Sequence, residues 1–142
     1  MINYAIGLIG LIGASFEDHF QGTIRNSIPL TFLGVGLLSL FFDFNNKNLT
    51  NFILIVISAV VVSIILWAMK LWGGGDAKLY IGLMAMHYQN PLSILSSFII
   101  GITISGIYNH LNKNSQKVSR LGLFILIGYT LVTTFLVLST FG

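Results

Sequence analysis

Between Phe52 and Trp72 the chain runs through Val, Ile, Leu and Ala with a single charge, Lys70, close to its end. About 20 residues at 1.5 Å each span the hydrocarbon core of a bilayer as an α-helix, and this run has that length and character. The rest of the chain points the same way. Hydrophobic residues make up 55% and charged residues 8%, and the mean hydropathy is +0.89, whereas soluble domains carry about 25% charge. So little charge cannot coat a globule of 142 residues. An all-α integral membrane protein is the fold class this predicts.

Five more apolar segments surround the first. Their expected ranges are 2–16, 28–42, 76–88, 92–111 and 121–141, with 52–72 third in order, giving six transmembrane helices in one domain over residues 1–142. Pro29 suits the first turn of the second, where its missing N–H would be unpaired anyway. Thr50 or Asn51 is the expected cap of the third. Gly7, Gly10 and Gly13 recur at three-residue spacing, a pattern that lets helices pack closely in lipid. The first segment has no basic leader region, so no cleaved signal peptide is expected.

With six segments both termini fall on one side. Odd-numbered connections carry Arg25, then Lys70 and Lys78, then Lys113, Lys117 and Arg120; even-numbered ones carry only Lys47. The positive-inside rule makes the odd connections cytoplasmic and both termini extracytoplasmic. The net charge of +3 is spread over these short connections and forms no nucleic-acid patch. Without cysteine the chain has no thiolate nucleophile and no Cys-ligated zinc, and its three histidines lie on different segment ends without metal-ligand spacing. No metal or other cofactor is expected.

Chemistry must then come from the acids. Four exist, at Glu17, Asp18, Asp43 and Asp76. Asp18 and Asp76 are predicted at the cytoplasmic mouths of different helices, Asp18 in a polar connection 17–27 and Asp76 directly after Gly73-Gly74-Gly75. Those glycines permit close backbone approach and positive φ. Asp43 falls on the far side. Two carboxylates brought within a few ångströms cannot both ionise and so share one proton. The ionised member can take a proton from water attacking a peptide carbonyl while the protonated member polarises that carbonyl.

Gly73, Gly75, Asp76 and Lys78 occupy the fixed positions of a Gly-x-Gly-Asp-x-Lys motif, and Asp18 precedes the pair Ile28-Pro29. The chain thereby resembles the type IV prepilin peptidases, including archaeal preflagellin peptidases, six-helix aspartic proteases that act at the cytoplasmic face. The resemblance implies Asp18 and Asp76 as the catalytic pair, with Gly73, Gly75, Lys78, Ile28 and Pro29 as supporting residues. Leu30 stands where the family has Asn, and the interval from Asp18 to Ile28 is longer than in many relatives. The resemblance also implies the substrate, a pilin-like precursor with a class III signal peptide (a short basic leader before an apolar helix). Longer bacterial members bind zinc through cysteines in a cytoplasmic insertion and methylate the new N-terminus. This chain has neither those cysteines nor the room, so cleavage without methylation is expected.

Plainer roles exist for each residue. Asp76 could be a helix cap and Asp18 a solvated loop residue. Lys78 reads as an interfacial or structural cation, and His19 as solvated. Met84, Met86, Trp67 and Trp72 read as packing or interfacial residues. A small ion- or proton-coupled transporter using the same acids is the rival function, although the acids are expected near one face and not at the midplane where alternating-access sites lie. Presenilin-like enzymes share Gly-x-Gly-Asp, but their Tyr-Asp and Pro-Ala-Leu motifs are absent.

Overall fold

The computed structural model describes residues 2–21, 23–69, 72–111 and 121–141. Six α-helices follow one another there, and no strand occurs among the described residues: α1 Ile2–Gln21, α2 Ser27–Phe42, α3 Asn46–Ala68, α4 Gly74–Met86, α5 Pro91–Leu111 and α6 Leu121–Phe141. The number and order match the expectation. The bounds of α1, α3 and α4 do not, α3 ending at Ala68 and α4 at Met86, short of the expected 72 and 88.

Helix α1 runs five residues past the expected end at Phe16 and takes in Glu17, Asp18 and His19. Nothing between Phe16 and Gly22 breaks a helix, so the polar residues continue it. Helix α3 starts earlier than expected, because Asn45 is the cap and accepts the Asn48 N–H at 2.7 Å. Thr50 instead turns its hydroxyl back to the Asn46 carbonyl at 2.8 Å, as it does inside a helix. Helix α4 begins at Gly74 with Gly73 as its cap.

Helix α4 is short and largely buried. Its 13 residues extend about 20 Å, and Leu79, Tyr80 and every residue from Gly82 to Met86 are buried. It packs chiefly on α2 and α3 and lightly on α5; α5 packs on α6, and α6 on α1. Glycines bring two of these pairs backbone to backbone. A Cβ at Gly82 would stand 2.6 Å from the Pro29 carbonyl oxygen and one at Gly36 2.5 Å from that of Ala85, which fixes α2 against α4. At the α5–α6 seam a Cβ at Gly101 would stand 2.9 Å from the Phe124 carbonyl. In α1, Gly7 and Gly10 make room for the rings of Tyr129 and Phe32, so this stripe admits side chains of other helices and does not form a backbone seam.

The helices alternate in direction. The α1–α2 connection meets the start of α4, where Ile24 lies against Gly75, while Asp43 at the end of α2 accepts a hydrogen bond from Gln89 beyond the end of α4 at 3.1 Å. Gly101 faces Phe124, and Gly128 faces Ser97, so α5 and α6 are antiparallel. The basic stretch 112–120 lies outside the described residues, as does Lys70.

Helix α3 is long and apolar enough to cross a membrane. It buries only Phe52, Ala59 and Ser63, leaving Leu54, Ile57, Val61, Ile64 and Trp67 exposed. Shorter apolar stretches occupy Ser27–Phe42, Pro91–Ser105 and Phe124–Leu136.

Candidate functional site

Asp76 is the third residue of α4, on its first turn. There its carboxylate can reach back over the exposed amides of the helix start, and Oδ2 accepts the Gly73 N–H at 3.1 Å. This is the acidic half of a capping box; the other half needs a side chain that glycine lacks. The capping role considered above is therefore real, but it occupies one oxygen. Oδ1 is buried and accepts no hydrogen bond among the described residues. Buried carboxylate oxygens are rarely left so, because the desolvation they suffer is uncompensated.

The glycines before Asp76 serve closeness and not positive φ. Gly73 lies at φ −77°, and none of the three adopts a left-handed conformation. A Cβ at Gly75 would stand 3.2 Å from the Ile24 side chain, and one at Gly73 3.2 Å from Asp76 Oδ2 itself. Gly74 has open space around it.

Asp18 sits near the end of α1, half-buried, close enough to Asp76 for the two carboxylates to repel one another. Two acids 58 positions apart in the sequence thus lie at the same end of the bundle. The adjacent Glu17 is engaged elsewhere: one oxygen accepts the Arg25 N–H at 2.8 Å and the other lies 3.6 Å from Arg25 Nε. His19 is exposed, edge-on to Phe20. Asp43, bonded to Gln89, is at the opposite end of α4.

Lys78 finds an amide as its partner and not an acid: Nζ donates to Asn26 Oδ1 at 2.8 Å. This bond joins the start of α2 to the first turns of α4. Pro29 is buried with its carbonyl against Gly82, and Ile28 packs at the edge of the core. The two residues therefore help to seat α4. Among the described residues no three His, Cys, Asp or Glu gather as metal ligands.

Two features were not legible beforehand. Trp72, immediately before the glycines, is buried against Tyr80 and Phe98 with its indole N–H unpartnered, a second orphaned polar atom at the start of α4. His87, expected at the outer end of the fourth segment, is 5% exposed and lies 3.0 Å from the Tyr129 hydroxyl. The packing reading of Trp72 holds, but neither set of partners could be read from local pattern, since Phe98 lies on α5, Tyr4 on α1 and Tyr129 on α6.

Residues 5–142 match the type IV leader peptidase family. The preflagellin peptidase of Methanococcus voltae is 35% identical over 68% of this chain and 43% of its own length. That of Methanococcus maripaludis is 32% identical over 76% of this chain and 54% of its own length. The chain therefore spans about half the length of these curated relatives. No solved structure matches it. With Gly73, Gly75, Asp76 and Lys78 in place at the head of α4, the chain belongs to the type IV leader peptidase family.

Proposed function

We propose that this chain is an aspartic endopeptidase that removes the short basic leader from pilin-like precursors (prepilin, pre-archaellin or Flp-type) at the cytoplasmic face of the membrane, with Asp18 and Asp76 as the catalytic pair. The observation that carries this reading is the buried, unengaged Oδ1 of Asp76 beside a second carboxylate contributed by another helix. One proton shared by the pair leaves one acid to polarise the scissile carbonyl and one carboxylate to deprotonate the attacking water; the tetrahedral intermediate collapses as the roles exchange. The Asp76–Gly73 bond holds one oxygen still and aims the other. Neither step calls on a metal or another cofactor.

The membrane placement rests on the apolar exterior and on charge. Six spans, α4 being completed by tilt and by burial in its neighbours, put the aspartates at the end where Arg25 and Lys78 lie, opposite Lys47. That end is cytoplasmic by the positive-inside rule, with both termini outside. Lipid then covers the exposed faces of α3, and the precursor's apolar helix stays in the bilayer while its leader reaches the pair. Cysteine labelling from outside intact cells checks this: a residue in 112–120 should be protected, and labelling there would overturn the topology and the docking together. The new N-terminus should leave unmethylated, which mass spectrometry of the product reads.

Co-expression with a pilin-like precursor, followed on a gel for the shortened product, tests the activity. Asp43→Asn should leave cleavage within about twofold of wild type, since surface substitutions remote from the chemistry cost little. The pH profile of kcat/KM should be a bell. On the acid side the base is lost as both carboxylates protonate; on the alkaline side the shared proton leaves and no acid remains. A rate that keeps climbing through the alkaline range would count against the shared proton.

A further inference from the structure

The two helices that carry the aspartates are joined a second time, at their other ends. Helices α1 and α4 run antiparallel, so α1 brings Asn3 and Tyr4 to the place where α4 delivers Met86, His87 and Asn90. Asn3 Nδ2 donates to the Met86 carbonyl at 3.5 Å, and Asn90 Nδ2 to the Tyr4 hydroxyl at 3.2 Å. The Tyr4 and His87 rings lie 4.6 Å apart. Beside them stands Tyr129 of α6, fully buried, whose hydroxyl donates to the Tyr4 carbonyl at 3.3 Å and meets His87 Nε2 at 3.0 Å. A hydroxyl has one proton, so with that proton on the Tyr4 carbonyl it accepts from His87 Nε2–H. The Tyr129 hydroxyl is then satisfied as donor and as acceptor, and Gly7 supplies the space for it.

This cluster matters because α1 otherwise shares an apolar, undirected core with α4, Leu11 and Ala14 lying in one cluster with Leu79 and Leu83. Its backbone packs on α6 and, over a shorter stretch, on α2, while its approach to α4 is slight. From Tyr4 to Asp18 is about 20 Å along α1, and over that length a small tilt at one end becomes a displacement at the other. Resting on the assignment of Asp18 and Asp76 as the catalytic pair, we infer that Tyr4, His87 and Tyr129 form a polar latch that sets the register of α1 against α4, and thereby the separation of the two carboxylates. They are positioning residues, remote from the reacting atoms.

Tyr129→Phe removes both hydroxyl bonds and keeps the ring; His87→Phe removes the donor; His87→Gln keeps an N–H that can reach the same hydroxyl. A misplacement of about an ångström between reacting groups costs up to a hundredfold, so Tyr129→Phe and His87→Phe should lower kcat by about ten- to a hundredfold with KM unchanged. His87→Gln should recover most of the loss. The absence of cysteine permits a readout independent of activity: spin labels at Phe20→Cys and Gly74→Cys, exposed positions on the two helices at the aspartate end. Their distance distribution should broaden or shift in Tyr129→Phe. A folded Tyr129→Phe protein with wild-type kcat and an unchanged label distance would overturn the latch, as would a lowered melting temperature with kcat per folded molecule intact. Failure of the aspartate assignment looks different: Asp76→Asn would then still cleave, whereas if only the latch is wrong Asp76→Asn is inactive and the latch variants are not.

Discussion

Asp76→Asn and Asp18→Asn are each expected to slow precursor cleavage by at least about a thousandfold, and the double variant to be scarcely slower than either, because groups that act as one unit do not contribute additively. Asparagine is the informative replacement. Its side-chain oxygen can still accept the Gly73 N–H that Asp76 Oδ2 accepts now, so the start of α4 stays capped and only the proton chemistry is lost. Asp76→Ala would in addition remove the cap, at about 0.5–2 kcal/mol of stability, and would confound the two roles. Melting curves should therefore overlay for wild type and Asp76→Asn while the cleavage gels differ completely. A folded Asp76→Asn enzyme cutting at near wild-type rate would end the aspartic mechanism. Glu17→Gln provides the matching control: Glu17 is held by Arg25, whose side chain is 67% exposed while that of Glu17 is 20% exposed, and the change should barely alter cleavage. Should Glu17→Gln abolish cleavage while Asp18→Asn spares it, the first catalytic role passes to Glu17.

The sequence carried the helices wherever strong punctuation bounded them. Pro29 and Pro91 open α2 and α5 close to where their apolar runs begin, and 121–141 is α6 as expected. Boundaries shifted where polarity stood in for punctuation. Residues 17–21 are polar yet contain no breaker, so α1 keeps them, and Asn45 outcompetes Thr50 and Asn51 as a cap because its oxygen lies over the Asn48 amide. At the site, three glycines before an acid marked Asp76 from local pattern alone. That Asp18 falls on the same side as Asp76 was expected from the six segments and their basic connections, and the family resemblance implied the pair. The choice of Asp18 over Glu17 gains its physical reason only in three dimensions, from the engagement of Glu17 by Arg25. The partners of Lys78 and His87 lie 52 and 42 positions away, and no periodicity within a helix encodes such pairings.

The glycines of the α2–α4 seam should respond to one added methyl group in opposite directions according to what stands opposite. At Gly82 the new Cβ would meet the Pro29 carbonyl oxygen at 2.6 Å and at Gly36 that of Ala85 at 2.5 Å. Both obstacles are backbone and cannot rotate away, so Gly82→Ala and Gly36→Ala must part the helices, at about 1–3 kcal/mol each. Gly34→Ala, on the same helix as Gly36, meets nothing within 4 Å. There the usual gain of alanine over glycine in a helix, about 0.5–1 kcal/mol, is left unopposed. Thermal unfolding in detergent should accordingly place Gly34→Ala at or above wild type and the other two below it; equal destabilisation by all three would show that the seam is not what the glycines serve. Activity adds a second ordering. Gly82 lies six positions from Asp76, on the side of α4 that faces Pro29, whereas Gly36 touches α4 near its far end. Displacing α4 at Gly82 moves Asp76 relative to Asp18 more directly, so Gly82→Ala should lose more kcat than Gly36→Ala at similar stability, by up to about a hundredfold if the acids part by an ångström.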